Sequence, residues 1–151
     1  MSDIVSPEIR SRMMAGIKGK NTRPEMILRQ GLHRLGFRYR LHDRRLPGTP
    51  DLVFPRYRAV IFAHGCFWHG HECHLFKWPS TREEFWREKV RRNVEVDASN
   101  LSRLKQSGWR IGIVWECALK GKYRLYREEV IELCAQWIKS DIPSIEIGGQ
   151  Y

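Results

Sequence analysis

The chain has 151 residues, 42% of them hydrophobic, and a formal net charge of +10 from 27 basic and 17 acidic side chains. This length favours one domain over residues 1–151, and no run of residues is long and apolar enough to cross a membrane. Because the first residues lack a signal-peptide pattern, we expect a cytoplasmic protein whose four cysteines serve metal binding or packing instead of disulfides. The basic charge and the 11% aromatic content make nucleic acid the leading partner. The alternative is a basic protein with an ordinary solvated surface.

The first half of the chain predicts two helices followed by a group of strands. Residues 6–20 fit a short basic helix, and we expect the basic N-terminal arm, residues 1–20, to become ordered on a phosphate backbone. The segment Thr22-Arg-Pro-Glu25 is a capping box that begins a second helix, which Gly36 ends. Three strands are predicted next, over residues 37–41, 51–54 and 59–64. The third strand is apolar enough to be buried on both faces.

The second half predicts a long helix, a strand and a final helix. The segment Thr81-Arg-Glu-Glu84 is a second capping box, and the helix that it begins runs to about Leu104. Residues 109–116 alternate as a strand that ends next to Cys117. Residues 125–139 form the last helix, and we expect a loosely held tail over residues 141–151. Since hairpin connections alternate with one long helical crossover, the order predicts an α/β fold with a mixed central β-sheet flanked by helices.

The segment from residue 60 to residue 74 is rich in metal-binding side chains. It contains four of the six histidines and two of the four cysteines, more soft ligands than a core strand needs. The predicted zinc ligands are Cys66, His71, Cys73 and, from the end of a distant strand, Cys117. Sharing one ion would fasten an irregular loop to the sheet, so we predict one tightly bound structural Zn²⁺. Cys134 competes as fourth ligand but lies on the apolar face of a helix, and the plain alternative is that the cysteines are buried thiols.

A carboxylate at the start of a predicted strand marks a second candidate site. Asp51 begins one strand beside the end of another at His64, and Mg²⁺ needs only one or two carboxylates because it keeps most of its waters. Glu25 is a candidate second carboxylate that acts through water, although it also fits the helix cap. A histidine suits the role of general base near neutral pH. We assign His69 to that role and His64 to a phosphate or substrate contact, with His74 able to replace either.

These residues resemble those of the very-short-patch-repair (Vsr-type) DNA mismatch endonucleases. The resemblance runs from about residue 10 to residue 137, in order and at the spacing of the family. The matching segments are Arg10-Ser-Arg-Met-Met14, Thr22-Arg-Pro-Glu25, Leu46-Pro-Gly-Thr-Pro-Asp51, Val60-Ile-Phe-Ala-His-Gly-Cys-Phe-Trp-His69 with His71 and Cys73, Thr81-Arg-Glu-Glu-Phe-Trp86, Lys89, Asn93, Asp97, Gly108-Trp-Arg110 and Val114-Trp-Glu-Cys117. A set of this size is far more specific than any single motif in it.

The resemblance implies a fold, a reaction and two sets of metal ligands. The fold is restriction-endonuclease-like, with Phe62-Ala-His64 where related nucleases carry an acidic residue and a lysine. The reaction is a nick in one DNA strand on the 5′ side of the thymine in a T·G mismatch, which arises when 5-methylcytosine deaminates. Asp51 would bind Mg²⁺ together with the main-chain carbonyl of Ala63, His69 would be the base, and the four predicted zinc ligands would bind Zn²⁺. We expect threonine at position 63 in the family, so the alanine lowers activity if a hydroxyl is needed there and costs little if only the carbonyl binds.

Aromatic side chains around the ligand-rich loop suggest how a mismatch is recognised. Opening a base step costs less at a mismatched pair than at a paired one, so a wedge of aromatic rings discriminates by that energy. Phe67 and Trp68 are adjacent and look exposed, and Trp86 lies near the start of the long helix. Met14 on the basic arm would enter from the opposite groove. Core packing is the alternative for these side chains, above all for Trp86.

A polar stripe on the long helix is the last candidate DNA contact. Lys89, Asn93 and Asp97 recur every four residues below Trp86, which is typical of a solvated face but also places donors near the edges of G and T. We therefore predict Mg²⁺-dependent, zinc-stabilised nicking of double-stranded DNA by a monomer, with a MutL-type repair factor as an implied further partner. The alternatives are a zinc-stabilised module that binds distorted DNA without cutting it and a restriction-type nuclease that acts on matched duplexes.

Overall fold

A five-stranded sheet organises residues 21–150, the part of the chain that this computed structural model describes. In chain order the elements are α1 (Arg23–Arg34), β1 (Arg40–Leu41), β2 (Leu52–Phe54), β3 (Ala59–His64), α2 (Glu83–Gln106), β4 (Arg110–Trp115), α3 (Arg127–Lys139) and β5 (Ser144–Ile147), with short 3₁₀ turns at Pro55–Tyr57 and Glu116–Ala118. The helix predicted over residues 6–20, and with it Met14, lies outside the described residues.

The sheet is mixed, as predicted. Its strands follow the chain in the order β1-β2-β3-β4-β5. The first two pairings are antiparallel hairpins, whereas β3 pairs parallel with β4 and β4 pairs parallel with β5. A parallel pairing needs a crossover, and α2 and α3 supply the two crossovers. The result confirms an α/β fold with helices flanking a mixed sheet, with one more strand and one more crossover than the sequence predicts.

The central strand β3 is buried on both faces, as predicted, because helices cover both sides of the sheet. On one side, α1 and α3 contribute Leu28 and Ile138 to a core cluster that includes Ile61. On the other side, Leu104 of α2 belongs to a cluster with Phe62. Each side chain of this size contributes on the order of 2 kcal/mol when fully buried. The end of β3 is therefore a rigid support for whatever follows it.

The two predicted capping boxes have different outcomes. At the start of α1, Thr22 Oγ1 accepts a hydrogen bond from the Glu25 main-chain N–H over 3.4 Å, as expected of an N-cap. The box over residues 81–84 is wrong, because α2 begins at Glu83 and its N-cap residue is Arg82, which has a left-handed φ of 54° and no side-chain cap. The N-terminus of this long helix depends on tertiary contacts instead.

The expectation of a loosely held tail is also wrong. Ser144–Ile147 forms the edge strand β5, in which Ile147 is buried. Glu146 Oε1 accepts a hydrogen bond from Trp115 Nε1 over 2.5 Å, and the Gly149 main-chain N–H donates to the Cys117 sulfur over 3.2 Å. A four-residue edge strand followed by two glycines has too little periodicity to be recognised in the sequence. Likewise, only Arg40–Leu41 of the strand predicted over residues 37–41 is paired.

Candidate active site and metal centre

Asp51 and the end of β3 meet at one edge of the sheet. Because β2 runs antiparallel to β3, with Leu52 opposite Ile61, residue 51 comes next to the last residues of β3. The Asp51 Oδ2 atom accepts a hydrogen bond from the Ala63 main-chain N–H over 2.7 Å. This contact orients the carboxylate beside the main chain whose carbonyl we expect to bind the same ion.

The surroundings of the Asp51 carboxylate favour a bound cation. Its side chain is only 21% exposed. The pKa of Asp51 is raised to about 6. Burial is the main cause and the nearby Glu25 carboxylate adds to it, while the hydrogen bond from Ala63 and the His42 and His69 side chains oppose the rise. A carboxylate that is costly to ionise in isolation gains most from a positive charge placed next to it.

Glu25 and His42 complete a cluster with Asp51. Glu25 is 1% exposed, and its carboxylate accepts a hydrogen bond from the Asn21 main-chain N–H over 3.1 Å. Glu25 Oε2 lies 2.8 Å from His42 Nε2, and that nitrogen lies 3.9 Å from Asp51 Oδ1. The three donor groups all lie within 4.8 Å of one another. Sequence reasoning missed His42, because a single histidine after a basic strand carries no signal of its own.

Two histidines, His64 and His69, stack face to face where β3 ends. Their ring centroids are 3.7 Å apart and the planes differ by 6°. Burial and, to a smaller extent, the neighbouring His69 together lower the pKa of His64 to about 2, so the His64 imidazole stays neutral in the physiological range. Its Nδ1 atom has no hydrogen-bond partner among the described residues. His74, the possible substitute for either histidine, lies elsewhere, in ring contact with Tyr123.

Asp97 of α2 orients the His69 ring. Asp97 Oδ2 lies 2.5 Å from His69 Nδ1, and both side chains are about one quarter exposed, at 25% and 27%. A carboxylate at Nδ1 favours the tautomer with the proton on that nitrogen, which leaves Nε2 as a proton acceptor. The polar stripe predicts that Asp97 faces DNA, but its carboxylate contacts the histidine instead.

The aromatic residues form a group on the wall of the cleft above these histidines. The cleft has a volume of about 1140 Å³ and is lined by Asp51 and Asp97 as well as by the aromatic rings. Phe67, Trp68 and Trp86 make edge contacts with one another at centroid distances of 5.1–6.0 Å. Our expectation that Trp68 is exposed is wrong, since it is 7% exposed, while Phe67 and Trp86 are half-buried. Trp68 therefore packs in the interior and supports the other two rings, Phe67 and Trp86, which face the cleft.

Asn93 supports the loop that carries Trp68. Its Nδ2 atom donates a hydrogen bond to the Trp68 main-chain carbonyl over 2.9 Å, whereas Lys89, one turn earlier on α2, is half-buried. The loop also approaches α2 closely at Gly70, where φ is 67° and an added Cβ would lie 2.7 Å from the Val94 side chain. Only glycine fits there without a shift of the helix or the loop.

The four predicted zinc ligands converge. One donor atom from each of Cys66, His71, Cys73 and Cys117 lies within 4.8 Å of the others, and none of these cysteines is in a disulfide. The parallel register explains the meeting of distant residues. His64 pairs with Trp115, so Cys66 and Cys117 each lie two residues beyond the ends of adjacent strands.

The chemistry of this group fits a structural metal. Three sulfurs and one nitrogen form a closed donor set of the kind that Zn²⁺ takes in tetrahedral sites. Cys66 and Cys117 are fully buried, and burial raises the pKa of the Cys66 thiol, so a cation is needed for the thiolate form. Main-chain N–H groups of Leu75 and Gly149 donate to two of the sulfurs, which stabilises thiolates.

The competing cysteine belongs to the core. Cys134 has no exposed surface, lies in the same apolar cluster as Ile138, and burial raises its pKa to about 12. It is not a member of any group of metal-binding side chains among residues 21–150. The geometry therefore favours Cys117 as the fourth donor.

Comparison with known proteins places the chain in a family. The family model described as DNA mismatch endonuclease Vsr matches residues 2–75. The DNA mismatch endonuclease Vsr of Escherichia coli K12 is 46% identical over 150 residues, which cover 99% of this chain and 96% of that protein. The chain belongs to the Vsr family. Two type II nicking enzymes are also similar: V.XorIIP of Xanthomonas oryzae pv. oryzae, 47% identical over 119 residues (79% of this chain, 88% of that enzyme), and V.NmeAIP of Neisseria meningitidis serogroup A, 43% identical over 122 residues (81% and 87%).

Membership of the Vsr family confirms the resemblance and the fold class. The mixed sheet with flanking helices is the restriction-endonuclease-like fold that the resemblance implies. It also confirms the enzyme class, a strand-specific DNA endonuclease, and therefore DNA as the partner. Among the described residues, no helix has the length and apolar character needed to span a membrane.

For this Vsr-family chain, the structure brings together most of the predicted site residues that it describes. Asp51, Ala63, His64 and His69 share one cleft with the aromatic group, and the four cysteine and histidine donors form a separate group that could hold a metal ion. The structure also shows two features of the site that the sequence does not predict: the position of His42 beside the carboxylates and the contact between Asp97 and His69. Neither could be found from spacing, because both depend on how α2 and the β1–β2 connection pack against β3.

Proposed function

We propose that this protein nicks one strand of duplex DNA on the 5′ side of the thymine in a T·G mismatch, by Mg²⁺-dependent phosphodiester hydrolysis, and so begins very-short-patch repair of deaminated 5-methylcytosine. The observation that carries the proposal is the shared cleft. Asp51, the histidine paired with Asp97, and the exposed edge of the aromatic group all line it. Chemistry and base opening can therefore take place in one bound complex.

Asp51 and the Ala63 main-chain carbonyl are the proposed ligands of the catalytic Mg²⁺. When bound, this ion neutralises charge that develops on the scissile phosphate and its leaving oxygen. Glu25 would contact this ion indirectly, through a water molecule bound to it. The Ala63 N–H already orients the Asp51 carboxylate over 2.7 Å, a main-chain contact that needs no side-chain hydroxyl at position 63. We therefore expect alanine to be tolerated at this position.

His69 is the proposed general base. With Asp97 accepting from Nδ1–H, the Nε2 atom can take a proton from the attacking water, and the resulting imidazolium is stabilised by the same carboxylate. The stacked His64 ring restricts the orientation of His69. Because His64 remains neutral, it can contact a phosphate oxygen through one ring nitrogen without adding a second positive charge.

The four donors of the metal centre are proposed to bind Zn²⁺ in a structural role. A bound Zn²⁺ would link the loop after β3 to the end of β4. The loop carries Phe67 and Trp68, so its rigidity decides whether these rings keep their positions when DNA binds. A flexible loop would lose conformational entropy when it becomes ordered on DNA, and this cost would weaken the insertion of the aromatic rings.

Recognition of the mismatch is proposed to begin with base opening. Phe67 and Trp86, backed by the buried Trp68, would enter beside the mismatched pair, where unstacking costs least. Lys89 and the remaining amide oxygen of Asn93 are the proposed contacts to the edges of G and T. Met14, on the arm outside the described residues, would approach from the other groove.

A nicking assay on labelled duplexes tests the proposal. A T·G duplex and its matched T·A control, each labelled on one strand at a time, would be incubated with and without Mg²⁺. We expect a nick only in the thymine strand of the T·G duplex, only with the ion present. Equal cleavage of the matched duplex would indicate a restriction-type nuclease, and tight binding without a nick would indicate a DNA-binding module.

Analysis of the complex by sedimentation would test the proposed monomer, and addition of a MutL-type factor would test that partner.

A further inference from the structure

The position of His42 suggests that it does more than fill space beside the carboxylates. It follows β1 with a left-handed φ of 48°, a conformation that non-glycine residues seldom adopt. Its main-chain N–H donates to the Asp51 carbonyl oxygen over 3.1 Å. This arrangement directs the imidazole toward the carboxylates of Glu25 and Asp51, at 2.8 Å and 3.9 Å from Nε2. Strained backbone of this kind is usually kept for a specific contact.

Positioning of Glu25 alone does not require the imidazole. The Glu25 carboxylate already accepts from the Asn21 main-chain N–H over 3.1 Å and lies 3.4 Å from the Arg29 guanidinium. A neutral imidazole can also donate from only one nitrogen, so a single Nε2 cannot satisfy two ionised carboxylates by hydrogen bonding. Donor atoms that surround one point are the arrangement expected of ligands to one ion. Atoms bound at about 2.1 Å to an octahedral ion lie about 3 Å apart, close to the shorter distance here.

We propose that His42 is a direct ligand of the active-site ion and that its nitrogen makes this site prefer Mn²⁺ to Mg²⁺. The inference rests on the proposed function, which places a divalent ion at Asp51. Carboxylates and carbonyls suit both ions, whereas an imidazole nitrogen favours the transition ion, because Mg²⁺ takes oxygen ligands almost exclusively. Glu25 would then bind the ion directly and not through a water molecule. The ligands would be Glu25, His42 and Asp51 together with the Ala63 main-chain carbonyl, with room for water and phosphate on the cleft side.

Pulsed electron paramagnetic resonance of bound Mn²⁺ tests this ligand assignment without DNA. The cysteine-rich centre would first be loaded with Zn²⁺, so that Mn²⁺ is kept out of it. His64, His69 and Asp97 remain as a second group that could hold the ion, and the His42→Gln variant described below shows which group supplies the nitrogen. In the wild-type protein we expect a ¹⁴N coupling from a bound imidazole, which changes to a ¹⁵N coupling when histidine is labelled. This labelled measurement needs no variant and does not depend on the folding of one.

The His42→Gln variant separates a ligand from a positioning residue, because glutamine keeps a hydrogen-bond donor for Glu25 but removes the imidazole. We expect loss of the nitrogen coupling and Mn²⁺ binding weakened by at least about tenfold, with a much smaller change for Mg²⁺. His33→Gln, at an exposed position in the last turn of α1, is the matched control and should change neither. Unchanged coupling and unchanged Mn²⁺ affinity in His42→Gln would overturn the proposal.

The Asp51→Asn variant distinguishes failure of this inference from failure of the proposed function. It should abolish Mn²⁺ binding at the site, whatever the role of His42. If Asp51→Asn instead binds Mn²⁺ as the wild type does, the ion does not lie at Asp51, and the proposed catalytic site is refuted. If Asp51→Asn loses the ion while His42→Gln keeps the nitrogen coupling, only the assignment of His42 is wrong.

Discussion

Two of the three groups of possible metal ligands among residues 21–150, the cysteine-rich centre and the carboxylate cluster, lie near the end of the same strand, β3, yet differ in enclosure and in donor type. The cysteine-rich centre has four protein donors, and Cys66 and Cys117 have no exposed surface. The carboxylate cluster has three donors and opens onto the cleft through Asp51, whose side chain is 21% exposed. A closed donor set leaves no coordination position for substrate, whereas an open oxygen-rich set does.

Donor groups that lie close together in the fold can thus serve different purposes: the enclosed group stabilises the fold, and the open group serves turnover. Changes in the closed group should lower the free energy of unfolding, and changes in the open group should lower the nicking rate of a protein that remains folded. Because both groups depend on the rigid end of β3, a change that affects both at once would contradict this division.

The largest effect is expected for Cys117→Ala. Loss of one of four donors should release the metal, and loss of a structural metal is among the few changes that cost more than about 4 kcal/mol. Zinc content by elemental analysis and unfolding in urea measure the two consequences. Cys134→Ala is the matched control: it removes a buried thiol from the core and should keep one zinc per chain. Full zinc content in Cys117→Ala would contradict the assignment.

Asp51→Asn should have the largest effect on turnover. The amide keeps the shape of the side chain but loses the charge that binds the ion, so nicking of a T·G duplex should fall at least about a thousandfold, equivalent to about 4 kcal/mol. Zinc content, the unfolding curve and DNA affinity at fixed salt should stay near the wild-type values. A variant that still nicks at a comparable rate would place the catalytic ion elsewhere.

Asp97→Asn tests how His69, the proposed base next to the open group, is oriented. Loss of the carboxylate removes the preference for the Nδ1–H tautomer of His69, and nicking should fall about a hundredfold. The free energy of unfolding should change little, because both side chains are about one quarter exposed. Glu95→Gln, an exposed change on the same helix, is the control for charge alone. Equal losses in the two variants would indicate a general electrostatic effect.

Asn93→Ala should have the smallest effect. The variant tests whether α2 stabilises the loop in addition to the stabilisation that the bound metal provides. The variant loses the hydrogen bond to the Trp68 carbonyl, so we expect about 1 kcal/mol less unfolding free energy. Exposed Ser99→Ala on the same helix is its control. Unchanged stability combined with lost discrimination between T·G and T·A would show that Asn93 acts on the DNA and not on the loop.

Much of this site could be predicted from the chain because its residues lie in short, distinctive segments. The buried strand β3 was recognisable from its continuous apolar run, and the loop after it from its density of cysteine and histidine. Asp51 stood out because it begins the neighbouring strand of a hairpin. By contrast, the edge strand β5 and the true start of α2 at Glu83 were not recognisable, since the packing of distant segments stabilises them.

The order of residues therefore determined most of the strands, the four zinc donors, Asp51 and the aromatic pair, each encoded by local periodicity or composition. The tertiary structure decided which donors meet. The parallel register of β3 with β4 brings Cys117 to the loop, the packing of α2 turns Asp97 toward His69, and the connection after β1 brings His42 between two carboxylates. The physical reason is that these contacts join residues far apart in the chain, and their geometry follows from burial of the shared core, which local sequence patterns do not specify.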